Sequence, residues 1–172
     1  MVFVGIDPGL DGGILALNEA GDILDKWIIP TITMKKGKKN KTEIDLVSLN
    51  DIFIKLKSYQ KVKVFLEAVH AMPKQGVSSS FNFGKVFGYL EGMLTAYRFP
   101  YVLVTPQCWT KEIHAGLSKE LDPKSRSLVI FNREYSNLDL RANSRCRNQH
   151  EGLLDSLFIA EYGRRKELGL IK

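Results

Sequence analysis

The sequence predicts an α/β fold: a mixed five-stranded sheet, an antiparallel meander followed by parallel strands, with helices on both faces. Two observations carry this. Three short apolar runs at the start are separated by tight glycine turns, and further on strand-length apolar runs alternate with segments of helical period. With 172 residues and 44% apolar composition, the chain can form one domain over its whole length, since single domains typically run about 100 to 200 residues.

The first run, residues 2 to 7, ends at Pro8-Gly9; the second, ILALN, follows Gly12-Gly13; the third, ILDKWII, follows Gly21-Asp22. Tight turns of this kind join antiparallel neighbours. The stretch Lys35 to Lys41, five lysines in seven residues, is expected to be a loop or tip. From Asp45 to Tyr59 the apolar residues Leu46, Leu49, Ile52, Phe53 and Leu56 share one helical face. A strand from Lys63 to Val69, a long helix from Ser80 to Tyr97 and a strand from Tyr101 to Val104 follow. Helices over Pro123 to Tyr135 and Asn148 to Lys166 complete the order βββαβαβαα. Helical crossovers between the later strands bring them into parallel register, and sites in such sheets gather at strand ends. Asp7 and Glu67 stand at the ends of the first and fourth strands.

A formal charge of +6 and a pI near 9.3 favour an acidic polymer as partner. No apolar run approaches the roughly 18 residues of a bilayer span, and the start MVFVGIDPG lacks a basic signal-peptide region. The expectation is a cytoplasmic protein, or one inside a host cell if viral, neither secreted nor bound to a membrane. Cys108 and Cys146 form no CxxC pair and are read as unpaired structural thiols.

Each acidic candidate has an ordinary reading beside the chemical one. The Asp7-Pro8-Gly9 segment also fits a simple turn, and Glu67 also fits a solvated strand end. Asp155 is more telling, because it interrupts a helix face of Leu154, Leu157, Phe158 and Ile159, and a carboxylate beside a buried face needs a partner.

The opening strand with Asp7-Pro8-Gly9, the strand end Phe65-Leu66-Glu67 and the helix Glu151-Gly152-Leu153-Leu154-Asp155-Ser156-Leu157 resemble, in this order, the RuvC-type Holliday junction resolvases of the ribonuclease-H-like superfamily. Thr105-Pro106 with Trp109-Thr110-Lys111, and Asp122-Pro123-Lys124-Ser125-Arg126, look like that family's basic elements after the fifth strand. Short loops and the Glu-Gly-x-x-Asp spacing are more similar to viral and organellar branches than to the common bacterial pattern, in which the last acidic pair is three apart.

The resemblance implies a crossover junction endodeoxyribonuclease that resolves four-way junctions and other branched DNA as a homodimer, by paired nicks bearing 5′ phosphate and 3′ hydroxyl. Carboxylates gathered at neutral pH repel one another unless a cation is shared, and magnesium is the natural occupant. Two ions, with manganese as a substitute, would activate water and stabilise the leaving oxygen. In this reading Asp7 bridges the ions, Glu67 binds one, and Asp155 with Glu151 binds the other. Glu151 lies about 40° from Asp155 around the helix, against about 140° for His150, so geometry favours Glu151, with His150 the alternate ligand if the helix starts late or frays. Glu151 also fits a capping box with Asn148.

For DNA contacts the candidates are Lys35, Lys36, Lys38, Lys39 and Lys41 on one arm, with Lys111, Lys124 and Arg126 near the cut. Arg145, Arg147, Arg164 and Arg165 extend that track. The family often places a wedging aromatic just past Glu67; His70 and Met72 stand there instead, and His70 is a candidate for stacking on a base. His114 has no evident role. Gly84, Gly88 and Gly92 recur every four residues, which fits either packing on the protein's own sheet or, from the resemblance, a dimer interface. Three competing functions share the fold. An ATPase or sugar kinase would need a second domain, a ribonuclease H would cut RNA/DNA hybrids, and a non-catalytic DNA-binding module would not need the acids.

Overall fold

The computed structural model describes residues 1–37, 39–68 and 76–171. Its elements are β1 (Val2–Asp7), β2 (Gly13–Leu17), β3 (Ile23–Ile28), β4 (Thr31–Lys36), β5 (Lys39–Ile44), α1 (Leu46–Lys57), β6 (Val62–Glu67), α2 (Val77–Ala96), β7 (Tyr101–Val104), α3 (Pro106–Ile113), α4 (Pro123–Glu134) and α5 (Glu151–Glu167). Five strands form one sheet in the order β3-β2-β1-β6-β7. The pairs β1–β2 and β2–β3 are antiparallel, and β1–β6 and β6–β7 are parallel, so the expected mixed sheet is present.

Two elements differ from the sequence reading. The lysine-rich stretch is not a plain loop: it forms the distal half of a hairpin in which β4 and β5 pair from Thr31↔Ile44 to Lys36↔Lys39 around Gly37, whose φ is 65°. Thr31, Ile32 and Thr33 are β-branched, which suits a strand even though successive residues from Thr31 to Lys35 are all exposed. The second addition is α3, which Thr105 caps by accepting the Cys108 amide, with Pro106 in the first turn. Asp45 and Asp122 cap α1 and α4 in the same way.

The sheet buries both faces, which explains why β1 reads as a continuous apolar run. Alternate residues Val2, Val4 and Ile6 enter a core with Leu49, Phe53, Val86 and Leu90 of α1 and α2. Phe3 and Phe65 enter the opposite core with Leu153, Leu157 and Phe158 of α5 and Ile130 of α4. By the same alternation Gly5, Asp7 and Glu67 belong to the α5 side. Among the described residues, no helix is long and apolar enough to cross a membrane.

The helix α5 is buried from Gly152 to Gly163, except at Asp155, which is half-buried, and it touches the sheet backbone to backbone. A Cβ on Gly5 would lie 2.1 Å from the carbonyl oxygen of Ser156, and one on Gly152 would lie 2.3 Å from that of Asp11. Only glycine permits this approach, and Gly12 and Gly152 form an isolated bridge there. Glu161, 2% exposed, lies in the same helix and is held by Arg164 at 2.7 Å and Arg165 at 2.6 Å. Burial alone would raise its pKa; hydrogen bonds from the two arginines overcome this and lower it.

Candidate active site

Parallel pairing of β1 with β6 aligns Ile6 with Leu66, so Asp7 and Glu67 emerge side by side at the carboxyl ends of adjacent strands. The glycine contact then seats the first turn of α5 on the β1–β2 turn, and Asp155 joins them one turn into that helix. The three side chains are partly buried, and their ionisation is coupled. Asp7 is pushed up from 3.8 to about 8, mainly by burial and then by the charges of Glu67 and Asp155. Asp155 is pushed to about 7 by burial, Glu67 and Glu151, with Lys124 opposing. Burial also raises Glu67, against a lowering hydrogen bond from Trp109. Like charges in a poorly solvated place are expensive unless a proton or a cation compensates them.

Asp7 and Asp155 border a cleft of about 480 Å³ between the β1–β2 turn, the N-terminal half of α2 and the start of α5. Asp7, Asp155 and Glu151 line it with Asp11, Ser79 and Asn82. Among the described residues no three His, Cys, Asp or Glu side chains stand as a ready-made metal cluster. The exposed carboxylate of Glu151 forms a 2.6 Å ion pair with Lys124. The donors nonetheless suit a hard divalent cation, since all are carboxylate oxygens.

The helix cap here is His150, whose Nδ1 accepts the Leu153 amide at 3.3 Å. The expected capping box from Asn148 to Glu151 is therefore not formed, because Glu151 is the first helical residue. Lys111 and Lys124 are exposed, as expected for phosphate contacts, and Arg126 is half-buried with its Nε unpartnered. Lys35 is exposed on the hairpin, while Lys41 pairs with Glu43 at 2.6 Å. Lys36 and Lys39 fall in the paired strands. Lys38, His70 and Met72 lie outside the described residues. Arg164 and Arg165 are spent on Glu161, which removes them from the expected basic track. Among the described residues a Cβ on Gly84, Gly88 or Gly92 meets nothing within 4 Å, so the glycine stripe does not pack on the sheet.

Sequence reading missed three contributors. Trp109, 4% exposed, donates from Nε1 to Oε1 of Glu67 at 2.8 Å; a tryptophan after β7 gives no sign of that partner. His114 is buried, shares a 3.0 Å hydrogen bond between its Nε2 and Ser127 Oγ, and packs edge-on against Trp109. It braces α3 against α4. Asp11, on the cleft rim, is a further acid that only its place in the DPGLD turn could have signalled.

Similarity to solved structures agrees with this architecture. The structure of Thermus thermophilus RuvC in complex with a Holliday junction substrate matches with a TM-score of 0.58 and 17% identity, over 98% of this chain and 96% of that one. A second Thermus thermophilus RuvC structure matches with a TM-score of 0.54 and 15% identity, over 98% and 97%. The chain has the ribonuclease-H-like fold of RuvC. No family model and no curated protein matches the sequence.

Proposed function

We propose that this protein is a divalent-metal-dependent endonuclease that resolves four-way junctions and other branched DNA by paired nicks, leaving 5′ phosphate and 3′ hydroxyl ends. The observation that carries the reading is the convergence of Asp7, Glu67 and Asp155 at the strand ends, each with its pKa raised by burial. The RuvC fold and the basic charge of +6 support DNA as substrate.

Asp7, Glu67 and Asp155 are the residues that would hold magnesium, or manganese in its place. A bound cation would polarise the phosphate and make water a stronger nucleophile. Trp109 occupies one oxygen of Glu67 and so leaves the other as the donor. Glu151 can join the acids only by releasing Lys124, and that exchange costs little because both partners are exposed. The freed ammonium then serves a phosphate oxygen of the substrate. Two sites are needed for paired nicks, and the open glycine face of α2, flanked by exposed Val77 and Phe81, is the surface for a two-fold homodimer.

Cleavage of a mobile four-way junction, with magnesium and with a chelator, tests the reading against a linear duplex and an RNA/DNA hybrid. Magnesium-dependent paired nicks in the junction support it. Preference for the hybrid would make the protein a ribonuclease H, and junction binding without cleavage would make it a non-catalytic module.

A further inference from the structure

A second pocket, of about 400 Å³, opens between α4, the segment preceding α5 and the first turn of α5. It is separate from the carboxylate cleft but shares a wall with it, because Asp155 and Glu151 line both. Its size is in the range of small-ligand sites. Leu128 and Leu154 supply apolar walls, and Asn132, Asn148 and Gln149 supply carboxamides. Gln149 accepts the Leu140 amide through Oε1 at 2.6 Å, so its NH2 is left as a donor. Lys124 spans the mouth from α4 to Glu151 on α5, and Arg147 lines the pocket as well.

We propose that this pocket receives the base of the nucleotide next to the scissile phosphate, unstacked from the junction, and gives the cut its sequence preference. The inference rests on the endonuclease reading above. A phosphate held at Asp155 places its neighbouring nucleotide at the shared wall. Apolar walls shelter the flat faces of a base, and amides read its edge, the combination used wherever a base is taken out of its stack. With Lys124 given to a phosphate and Glu151 and Asp155 to the metal, the donors of settled sense are Arg147 and the Gln149 NH2, which favour bases with carbonyl oxygens, thymine, guanine or cytosine, over adenine.

Two readouts test this, each on four-way junctions that differ only at the nucleotide beside the cut. In chelator, 2-aminopurine placed next to that nucleotide reports loss of stacking on binding. In magnesium, cleavage rates report preference. Wild type should bind with a rise in fluorescence and cut thymine, guanine or cytosine junctions about 10-fold faster than the adenine one. Leu128→Trp fills the pocket from a position that is 41% exposed; it should keep its circular dichroism and, at saturating junction, lose the rise and cut all junctions alike. Asn132→Ala should flatten the preference without filling the pocket. Binding by wild type with no rise, or an unchanged preference in both variants, overturns the base pocket and leaves the endonuclease reading standing. Failure of wild type to bind or cut any junction overturns both.

Discussion

The indole Nε1 of Trp109 donates a 2.8 Å hydrogen bond to Oε1 of Glu67, joining the first turn of α3 to the end of β6. A buried tryptophan with one donor has nowhere else to satisfy it, so the bond fixes the rotamer of a carboxylate in the acidic site. Trp109→Phe keeps the aromatic packing and removes the donor. It should weaken manganese binding, read by electron paramagnetic resonance, and slow junction cleavage, each by about 10-fold or more. The fold should lose about 1–3 kcal/mol. Unchanged metal affinity would reduce Trp109 to packing.

The raised carboxyl groups fix the pH dependence of the metal-free protein. Asp7 and Asp155 titrate near 8 and 7 when folded and near 3.8 when unfolded. Between those values the folded state holds protons that the unfolded chain has released, so these groups reduce stability as pH rises through the window. Asp7→Asn removes the larger part. In chelator, its melting temperature should exceed that of wild type by little at about pH 5 and by several degrees at about pH 8. Magnesium should stabilise wild type increasingly over the same range. A gap that shrinks with pH would contradict the arrangement.

Two glycines on different helices should respond in opposite ways. Gly152→Ala puts a methyl 2.3 Å from the Asp11 carbonyl; backbone must shift, at a cost of about 1–3 kcal/mol, and Asp155 shifts with it. Cleavage should fall more than stability. Gly88→Leu meets no atom of the described residues within 4 Å of the Cβ and should keep the fold, while light scattering should show a fall from about twice the 19.5 kDa chain mass to one. A folded, dimeric Gly88→Leu would remove α2 from the interface.

Serine at Lys35, Lys36, Lys38, Lys39 and Lys41 should weaken DNA binding and flatten its salt dependence, by about 0.9 in log–log slope for each phosphate that the hairpin no longer neutralises. Lys41 should contribute least, because Glu43 already engages it. An unchanged slope would make the hairpin a solvated arm.

The acidic site was legible because its members sit on elements with strong periodicity: Asp7 and Glu67 end apolar strands, and Asp155 breaks an apolar helix face. The β4–β5 hairpin was not, since polar residues on both faces erase the alternation that marks a strand. His150 escaped notice as a cap because serine, threonine, aspartate and asparagine dominate that position. The links from Trp109 to Glu67 and from His114 to Ser127 join residues 42 and 13 apart; no local pattern encodes such a pairing. The glycines of α2 had two readings because spacing reveals a stripe and not what covers it.

The most direct test of the central claim is the Asp7→Asn protein assayed side by side for junction binding and for magnesium-dependent cleavage. The substitution keeps side-chain volume and removes one metal-holding charge. The account predicts cleavage reduced at least about 1,000-fold with junction affinity equal to or tighter than that of wild type. Cleavage at the wild-type rate would contradict it.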